Sequence, residues 1–179
     1  MKGIFININR CTGCKSCEIA CAVTHSKNKD LFSAITEFPP PRKRVYVEPV
    51  DSYAFASRCM HCKDAPCIIA CPNGAMHKDE ERGFVLVNEE KCMGCMMCAM
   101  VCPFGAITLD LYRGKASKCD FCIERMEVGK EPACVEACPT GALQYGELEE
   151  LVRQKRRSIA YAVLIASEEV KKEGIKISE

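Results

Sequence analysis

The stretch CMGCMMCAMVCP, residues 92–103, decides how this 179-residue chain is interpreted. It places Cys92, Cys95, Cys98 and Cys102 with two, two and three residues between successive members, and a proline follows the last. Because Cys98 and Cys102 are four positions apart, their thiols lie about one helical turn apart on one helix face. The spacing therefore predicts a short loop that carries three thiols, followed by a helical turn that carries the fourth.

Three further quartets repeat this pattern, so internal repetition organises the sequence. The first, CTGCKSCEIAC, is regular but lacks the proline after its last cysteine. The second, CMHCKDAPCIIACP, has two extra residues before its third cysteine, and the fourth has an eleven-residue gap at the same place. The three quartets are Cys11, Cys14, Cys17 and Cys21; Cys59, Cys62, Cys67 and Cys71; and Cys119, Cys122, Cys134 and Cys138.

Cysteines at this spacing indicate iron–sulfur chemistry. A [4Fe–4S] cluster needs four thiolates, and in the bacterial run C-x₂-C-x₂-C-x₃-C-P the last cysteine ligates the other cluster of a pair. Zinc sites use two separated C-x₂-C pairs, and their chemistry does not require a third cysteine two residues on. Disulfides suit secreted chains, whereas Met1 leads to Cys11 without a signal peptide, so we expect reduced thiols in the cytoplasm. The sixteen cysteines predict four [4Fe–4S] clusters and an electron-transfer function.

The segments between the quartets predict an α+β fold. Short alternating or apolar runs predict strands at Gly3–Asn9, Val45–Val50, Phe84–Asn88, Ala106–Leu109 and Ala142–Tyr145. The segments CPNGAM, CPFGAI and CPTGAL each combine a proline that ends a helical turn with a glycine that permits a tight reversal. We therefore expect tandem ferredoxin-like units with small antiparallel sheets, short helices and a C-terminal helix.

The C-terminal segment contains no cysteine and has helical periodicity from Glu147 to about Lys172. Its apolar stripe comprises Leu148, Leu151, Val152, Ile159, Val163, Ala166 and Val170. This stripe packs either on its own domain or on another chain, and the basic run Arg153–Arg157 is either a solvated face or a contact with an acidic partner. No apolar run approaches the roughly 18 residues of a membrane span, and one short basic run does not indicate nucleic-acid binding.

The order of the quartets, with CxHCxxxPC in the second, a regular third and an enlarged fourth, resembles the four-cluster ferredoxin-type subunits of the DMSO reductase and formate dehydrogenase iron–sulfur family. Iron–sulfur subunits of formate hydrogenlyase and carbon monoxide dehydrogenase are similar. The resemblance covers Ile4 to about Tyr145 and implies that the quartets nest, first with fourth and second with third, and exchange their last cysteines. The implied ligand sets are Cys11, Cys14, Cys17 and Cys138; Cys119, Cys122, Cys134 and Cys21; Cys59, Cys62, Cys67 and Cys102; and Cys92, Cys95, Cys98 and Cys71.

The same resemblance implies the domain organisation and the role. A four-cluster domain would span residues 1–146, with 1–36 and 112–146 forming the outer pair and 53–111 the inner pair, and residues 147–179 would form a helical tail. The chain would be a non-catalytic subunit of an anaerobic complex that relays electrons. Its partner would be a molybdenum or tungsten formate dehydrogenase with a hydrogenase, a carbon monoxide dehydrogenase or an aldehyde oxidoreductase. The alternatives are a conducting scaffold that its C-terminal helix assembles into oligomers or filaments, and a free polyferredoxin.

Few other residues indicate chemistry. The sequence contains no Gly-rich phosphate loop, nucleophile elbow or HExxH motif, so we expect no catalysis by this chain itself. For His61, between two ligands of the second quartet, we expect packing or a structural hydrogen bond. His25 and His77 stand alone near quartets, and we expect neither to be a ligand.

Overall fold

The computed structural model describes residues 2–172, and side chains up to residue 165. Its strands are β1 (Lys2–Ile6), β2 (Val45–Val50), β3 (Tyr53–Arg58), β4 (Met76–Lys78), β5 (Val85–Val87), β6 (Ile107–Asp110), β7 (Lys115–Lys118) and β8 (Leu143–Glu147). Its helices are α1 (Ser16–Thr24), α2 (Leu31–Thr36), α3 (Pro66–Ile69), α4 (Met97–Met100), α5 (Ile123–Glu127), α6 (Ala133–Glu136) and α7 (Leu148–Lys172). The predicted α+β class is confirmed.

The strands form four two-stranded sheets, in which β1 pairs with β8, β2 with β3, β4 with β5, and β6 with β7. The last three pairs are antiparallel, with registers that include Val45 opposite Arg58 and Ile107 opposite Lys118. Since β1 pairs with the last strand, the described strands begin and end in the same sheet.

All five predicted strands are present, but their partners β3, β4 and β7 were not predicted. Strand β3 has the sequence YAFASR, in which buried alanines alternate with more exposed residues. Alanine has a low strand propensity, so this strand depends on its pairing with β2. The first strand is shorter than predicted, because a 3₁₀ turn at Ile8–Arg10 follows it and leads directly to Cys11.

The predicted turns after three of the quartets are also present. Helices α3, α4 and α6 are single turns that end before the Cys-Pro pair. In each following loop the glycine has a positive φ, and its N–H donates to the carbonyl of the last cysteine at 3.1–3.3 Å. Such a backbone conformation strains other residues, which explains the repeated Cys-Pro-x-Gly pattern.

The interior between these small sheets combines a few large side chains with many small ones. Val45, Val85 and Pro132 are completely buried, and Phe84 and Phe121 are 4% and 3% exposed. Small buried residues dominate the rest: Ala54, Ala56, Ala65, Ala75, Ala106, Ala116, Ala133 and Ala142. Two-stranded sheets are marginal by themselves, so this interior needs another group for its stability.

The chain divides into two compact units. One consists of Ile6–Leu143 and holds all sixteen cysteines. The other consists of the described parts of Met1–Phe5 and Gln144–Glu179, where Leu151 is buried close to Gly146 and the Lys155 ammonium lies 5.0 Å from the centre of the Phe5 ring. The boundary expected at residue 146 stays a prediction.

Helix α7 confirms the predicted C-terminal helix. Of its described stripe residues, Leu151 is buried, whereas Ile159 and Val163 are 53% and 61% exposed. The side chains of Ala166 and Val170 lie outside the described residues. No helix in the described part of the chain is both long and apolar enough to cross a membrane.

Candidate metal centres

Two hollows in the cysteine-bearing unit are each lined by four thiols. One is lined by Cys11, Cys14, Cys17 and Cys138, and the other by Cys71, Cys92, Cys95 and Cys98. Each combines three cysteines of one quartet with the last cysteine of another, as the nested pairing requires. We name the first set site I and the second set site IV.

The other two predicted sets also come together. Burial raises the pKa of the Cys21 thiol to about 12, and charges on the neighbouring Cys119 and Cys122 add to this rise. Burial also raises the pKa of Cys134, which lies close enough to Cys119, Cys122 and Cys21 for their charges to act on it. We name this set, Cys119, Cys122, Cys134 and Cys21, site II.

The remaining set is Cys59, Cys62, Cys67 and Cys102, which we name site III. Burial raises the pKa of Cys67, and charges on Cys59 and Cys102 raise it further. Cys102 packs against the buried cluster that contains Cys59, and Cys62 packs against the buried cluster that contains Cys67. The four ligand sets stay a prediction, which we carry forward as part of the proposal below.

Backbone N–H groups point at the thiols. His61 N–H donates to Cys59 Sγ and Phe121 N–H to Cys119 Sγ, each at 3.4 Å. Ala75 N–H donates to Cys71 Sγ at 3.2 Å, from the turn after the second quartet. Such donors stabilise the negative charge of thiolate ligands and influence the reduction potential of a cluster.

The first quartet lacks the proline, and its last cysteine receives a backbone hydrogen bond from a distant part of the chain. Helix α1 continues past Cys21 to Thr24, so no turn follows that cysteine. The N–H of Arg44 instead donates to Cys21 Sγ at 3.2 Å. This contact was not predicted, because no local pattern connects residues 23 positions apart.

The arrangement of the thiols suits a cubane better than a single ion. The one group of three potential ligand atoms within 4.8 Å of one another in the described chain is His25, Asp120 and Cys122, so no three cysteine sulfurs lie that close. A tetrahedral zinc ion with Zn–S bonds of about 2.3 Å would hold its sulfurs about 3.8 Å apart. The wider spacing and the small alanine side chains fit a [4Fe–4S] cluster, which supplies one-electron transfer when bound.

The histidines have structural contacts, as expected. His61 Nδ1 accepts a hydrogen bond from Val85 N–H at 3.1 Å, and its ring packs edge-on against Phe84 and Phe121. Burial lowers the pKa of His61 to about 2, so its ring is neutral. His77 Nδ1 lies 3.2 Å from the Ala75 carbonyl oxygen.

His25 connects site II to a charged pair that was not predicted. Its Nδ1 lies 2.7 Å from the Cys21 carbonyl oxygen, and its Nε2 lies 3.2 Å from Asp120 Oδ1. Arg44 NH1 lies 2.6 Å from Asp120 Oδ2. Burial acts to raise the pKa of Asp120, but His25 and Arg44 outweigh it and hold the pKa far below its ordinary value.

The four sites differ in exposure. Sites I and IV each contain one exposed cysteine, Cys14 in site I and Cys95 in site IV. All four cysteines of site II are buried, and none in site III is exposed. The thiols of sites I and IV are therefore more accessible from solvent than those of sites II and III.

Comparison with known proteins gives consistent matches. The 4Fe-4S dicluster domain family matches residues 50–148, and the 4Fe-4S binding domain family matches residues 8–24. The chain is 43% identical over 163 residues to the probable anaerobic dimethyl sulfoxide reductase chain YnfG of Escherichia coli (strain K12), a match that covers 88% of this chain and 78% of that protein.

Two further relatives are named as iron–sulfur or electron-transport proteins. An iron-sulfur protein of Rhodospirillum rubrum is 44% identical over 158 residues, which cover 82% of each chain. The electron transport protein HydN of Escherichia coli (strain K12) is 37% identical over 175 residues, which cover 88% of this chain and 96% of that protein.

Proposed function

This chain belongs to the 4Fe-4S dicluster domain family of electron-transfer proteins, and on that premise we propose that it carries four [4Fe–4S] clusters in one row and relays electrons along them. The row would run from site I through sites II and III to site IV. It would connect a catalytic subunit of an oxidoreductase complex at one end with a second redox partner at the other. The chain itself would catalyse no reaction.

The observation that carries this proposal is the order in which the four thiol sets adjoin. Helices α1 and α6 pack together beside sites I and II. Cys59 of site III and Cys119 of site II share one buried cluster, and Cys67 of site III shares another with Cys98 of site IV. Each site therefore lies next to the site that precedes or follows it in the row. Only the two end sites, I and IV, have exposed ligands.

The partner class rests on the resemblance of the quartets to the iron–sulfur subunits of such complexes. We infer a molybdenum or tungsten formate dehydrogenase with a hydrogenase, a carbon monoxide dehydrogenase or an aldehyde oxidoreductase as the catalytic partner. Anaerobic affinity purification from the native host, with mass identification of co-purifying subunits, tests this inference. Recovery of such a subunit would support it, and recovery of the holoprotein alone would favour a free polyferredoxin.

Relay by four clusters is tested by counting electrons. The anaerobically purified chain is titrated with dithionite while the visible absorbance and the electron paramagnetic resonance (EPR) signal are followed. We expect uptake of about four electrons per chain, one for each cluster. Uptake of about two or fewer by a sample that contains only about eight irons per chain would refute the proposal.

A second candidate function rests on α7. Ile159 and Val163, at successive turns of its apolar stripe, are both more than half exposed. A conducting scaffold, in which this stripe binds a second copy of the chain, would bury them. This role is compatible with electron relay, because no ligand lies in α7.

A further inference from the structure

A cation directly precedes the first cysteine of every quartet. These residues are Arg10, Arg58, Lys91 and Lys118. Arg10 and Lys91, which precede ligands of the terminal sites I and IV, are exposed. Arg58 and Lys118, which precede ligands of the middle sites III and II, are each only 4% exposed. The repeat therefore places a charged side chain inside the protein only at the two middle sites.

The two buried cations make equivalent contacts. Each is the last residue of a strand, Arg58 of β3 and Lys118 of β7. Arg58 NH1 donates to the Cys59 carbonyl at 2.8 Å, and Lys118 Nζ donates to the Cys119 carbonyl at 2.7 Å. Each cation is thus fixed against the backbone of the cysteine that follows it.

Further contacts hold both cations at the junction of sites II and III. Lys118 Nζ also donates to the Val85 carbonyl. The Arg58 guanidinium carbon lies 5.8 Å from the centre of the Phe121 ring, and that ring stacks on Phe84. An aromatic face attracts a cation, so these rings help to keep the charge buried.

Within the described residues, Lys118 forms no ion pair with a carboxylate. A buried ammonium group needs a compensating negative charge. Both cations instead adjoin cysteines of the middle sites. Lys118 Nζ donates to the carbonyl of Cys119 in site II, and Arg58 NH1 donates to the carbonyl of Cys59 in site III. The negative charge that compensates them is therefore that of the ligands of sites II and III.

Burial should make the middle clusters hard to reduce. Reduction by a partner adds one electron to a bound cluster and takes its net charge, with four thiolates, from about −2 to about −3. A low-dielectric interior disfavours the more highly charged form, as it does for any buried ion. Sites II and III, which have no exposed ligand, feel this effect more than the terminal sites.

We propose that Arg58 and Lys118 are positioning residues that offset this effect, and so raise the reduction potentials of the two middle sites toward those of the terminal sites. This inference rests on the proposed function, since it needs clusters at all four sites. Asp120, next to Cys119 in the sequence, carries the opposite charge, but Arg44 NH1 lies 2.6 Å from its Oδ2 and compensates it. Similar potentials at neighbouring sites let an electron cross the middle of the row without a step that is uphill in free energy.

The test is an EPR-monitored redox titration of the anaerobic, cluster-loaded full chain, with iron counted for every variant. Lys118→Met removes the charge and keeps an unbranched side chain. Arg58→Gln removes the charge of the equivalent cation at site III. Lys118→Arg restores the charge. Lys91→Met is the matched control, because Lys91 holds the same place before its quartet but is exposed. Cys59→Ser and Cys119→Ser assign the signals of sites III and II.

We expect Lys118→Met to lower the equilibrium constant for reducing the assigned signals by about tenfold, and Lys118→Arg to restore it. Lys91→Met should change the equilibrium constant for reducing each signal by less than about threefold. The proposal would be overturned if a fully loaded Lys118→Met variant reduced its assigned signals at the wild-type potentials. It would also be overturned if Lys91→Met shifted those potentials equally. If Lys118→Met loads less iron, Arg58→Gln is judged by the same criterion.

One outcome of cluster loading also decides. If both neutral variants fail to take up iron while Lys118→Arg loads normally, the charge serves cluster assembly, and the proposal that it sets the potentials falls. A wild-type chain that contains only about eight irons after full loading refutes the proposed function whatever the variants do. A fully loaded wild type whose variants show unmoved signals refutes this inference alone.

Discussion

The backbone N–H of Arg44 donates to the sulfur of Cys21 at 3.2 Å, across 23 positions of sequence. The second quartet receives the equivalent hydrogen bond locally, from Ala75 to Cys71. The crossing thiol of the first quartet therefore depends on the segment that leads into β2. This dependence makes Arg44 a sensitive position for the properties of site II.

Arg44→Pro removes this donor, since proline has no N–H. If this hydrogen bond is stronger by about 1 kcal/mol in the reduced cluster, it raises the potential by about 40 mV for one electron, so the site II potential should be lower by roughly that amount in Arg44→Pro than in Arg44→Ala. Potentiometric titration followed by EPR measures it. Arg44→Ala is the control, because it keeps the N–H and loses only the ion pair with Asp120. Equal potentials in the two variants would show that the N–H has no effect.

Exchange of the last cysteines predicts which pairs of ligand substitutions act on the same cluster. Cys138→Ala and Cys11→Ala should both remove the cluster at site I, so the double variant should lose no more iron than either single variant. Cys138→Ala with Cys134→Ala should affect two clusters and lose about twice as much iron. Iron analysis of anaerobically reconstituted protein measures the losses. The reverse pattern would mean that each quartet holds its own cluster.

Glu18 connects α1 to β2 and should stabilise the fold. Its Oε2 accepts from Lys43 Nζ and its Oε1 from Val47 N–H, each at 2.6 Å. Glu18→Gln replaces an ionic acceptor and should cost about 1–3 kcal/mol of stability. The guanidinium midpoint for loss of cluster absorbance measures this cost. Glu48→Gln, on the exposed end of β2, should have little effect.

The pH dependence of this cost follows from the pKa of Glu18. Burial acts to raise that pKa, but the hydrogen bonds from Lys43 and Val47 outweigh it and lower the pKa below its ordinary value. A carboxylate with a lowered folded-state pKa stabilises the fold fully above its unfolded pKa of about 4.3, and loses this effect only as pH falls below that value. The Glu18→Gln cost should therefore stay constant from pH 8 to about pH 5.5. A cost that shrinks between pH 7 and pH 5.5 would contradict the assignment.

The apolar stripe of α7 predicts self-association. Ile159→Ser with Val163→Ser should lower the assembly mass measured by anaerobic light scattering, without changing the iron content. Tyr161→Ser is a matched control, because Tyr161 is 68% exposed and, two residues from each stripe position, lies about 200° around the helix. An unchanged mass in the double variant would remove the scaffold candidate.

Local features of this chain could be predicted from its sequence. The Cys-Pro-x-Gly turns, the strand at Val45–Val50 and the helix that begins at Leu148 depend on nearby residues, and all are present. Strands β4 and β7 were missed because three or four residues without strong propensity form a strand only beside a partner. Pairing of this kind is a long-range property.

In the candidate sites, too, local features could be predicted from the sequence and long-range ones could not. Spacing identified the sixteen cysteines, but grouping them came from a family resemblance rather than from the spacing itself. The sequence places a cation before each quartet, yet it does not distinguish the buried Lys118 from the exposed Lys91. Burial is decided by the sheets that pack around each site, and that information is spread over the whole chain.

The central claim, that this chain holds four [4Fe–4S] clusters, is tested most directly by chemical analysis of the anaerobically purified protein. Iron, acid-labile sulfide and zinc are counted per chain in one sample. We predict about sixteen iron atoms, about sixteen sulfides and no stoichiometric zinc. Stoichiometric zinc, or iron and sulfide that saturate near eight after full reconstitution, would contradict it.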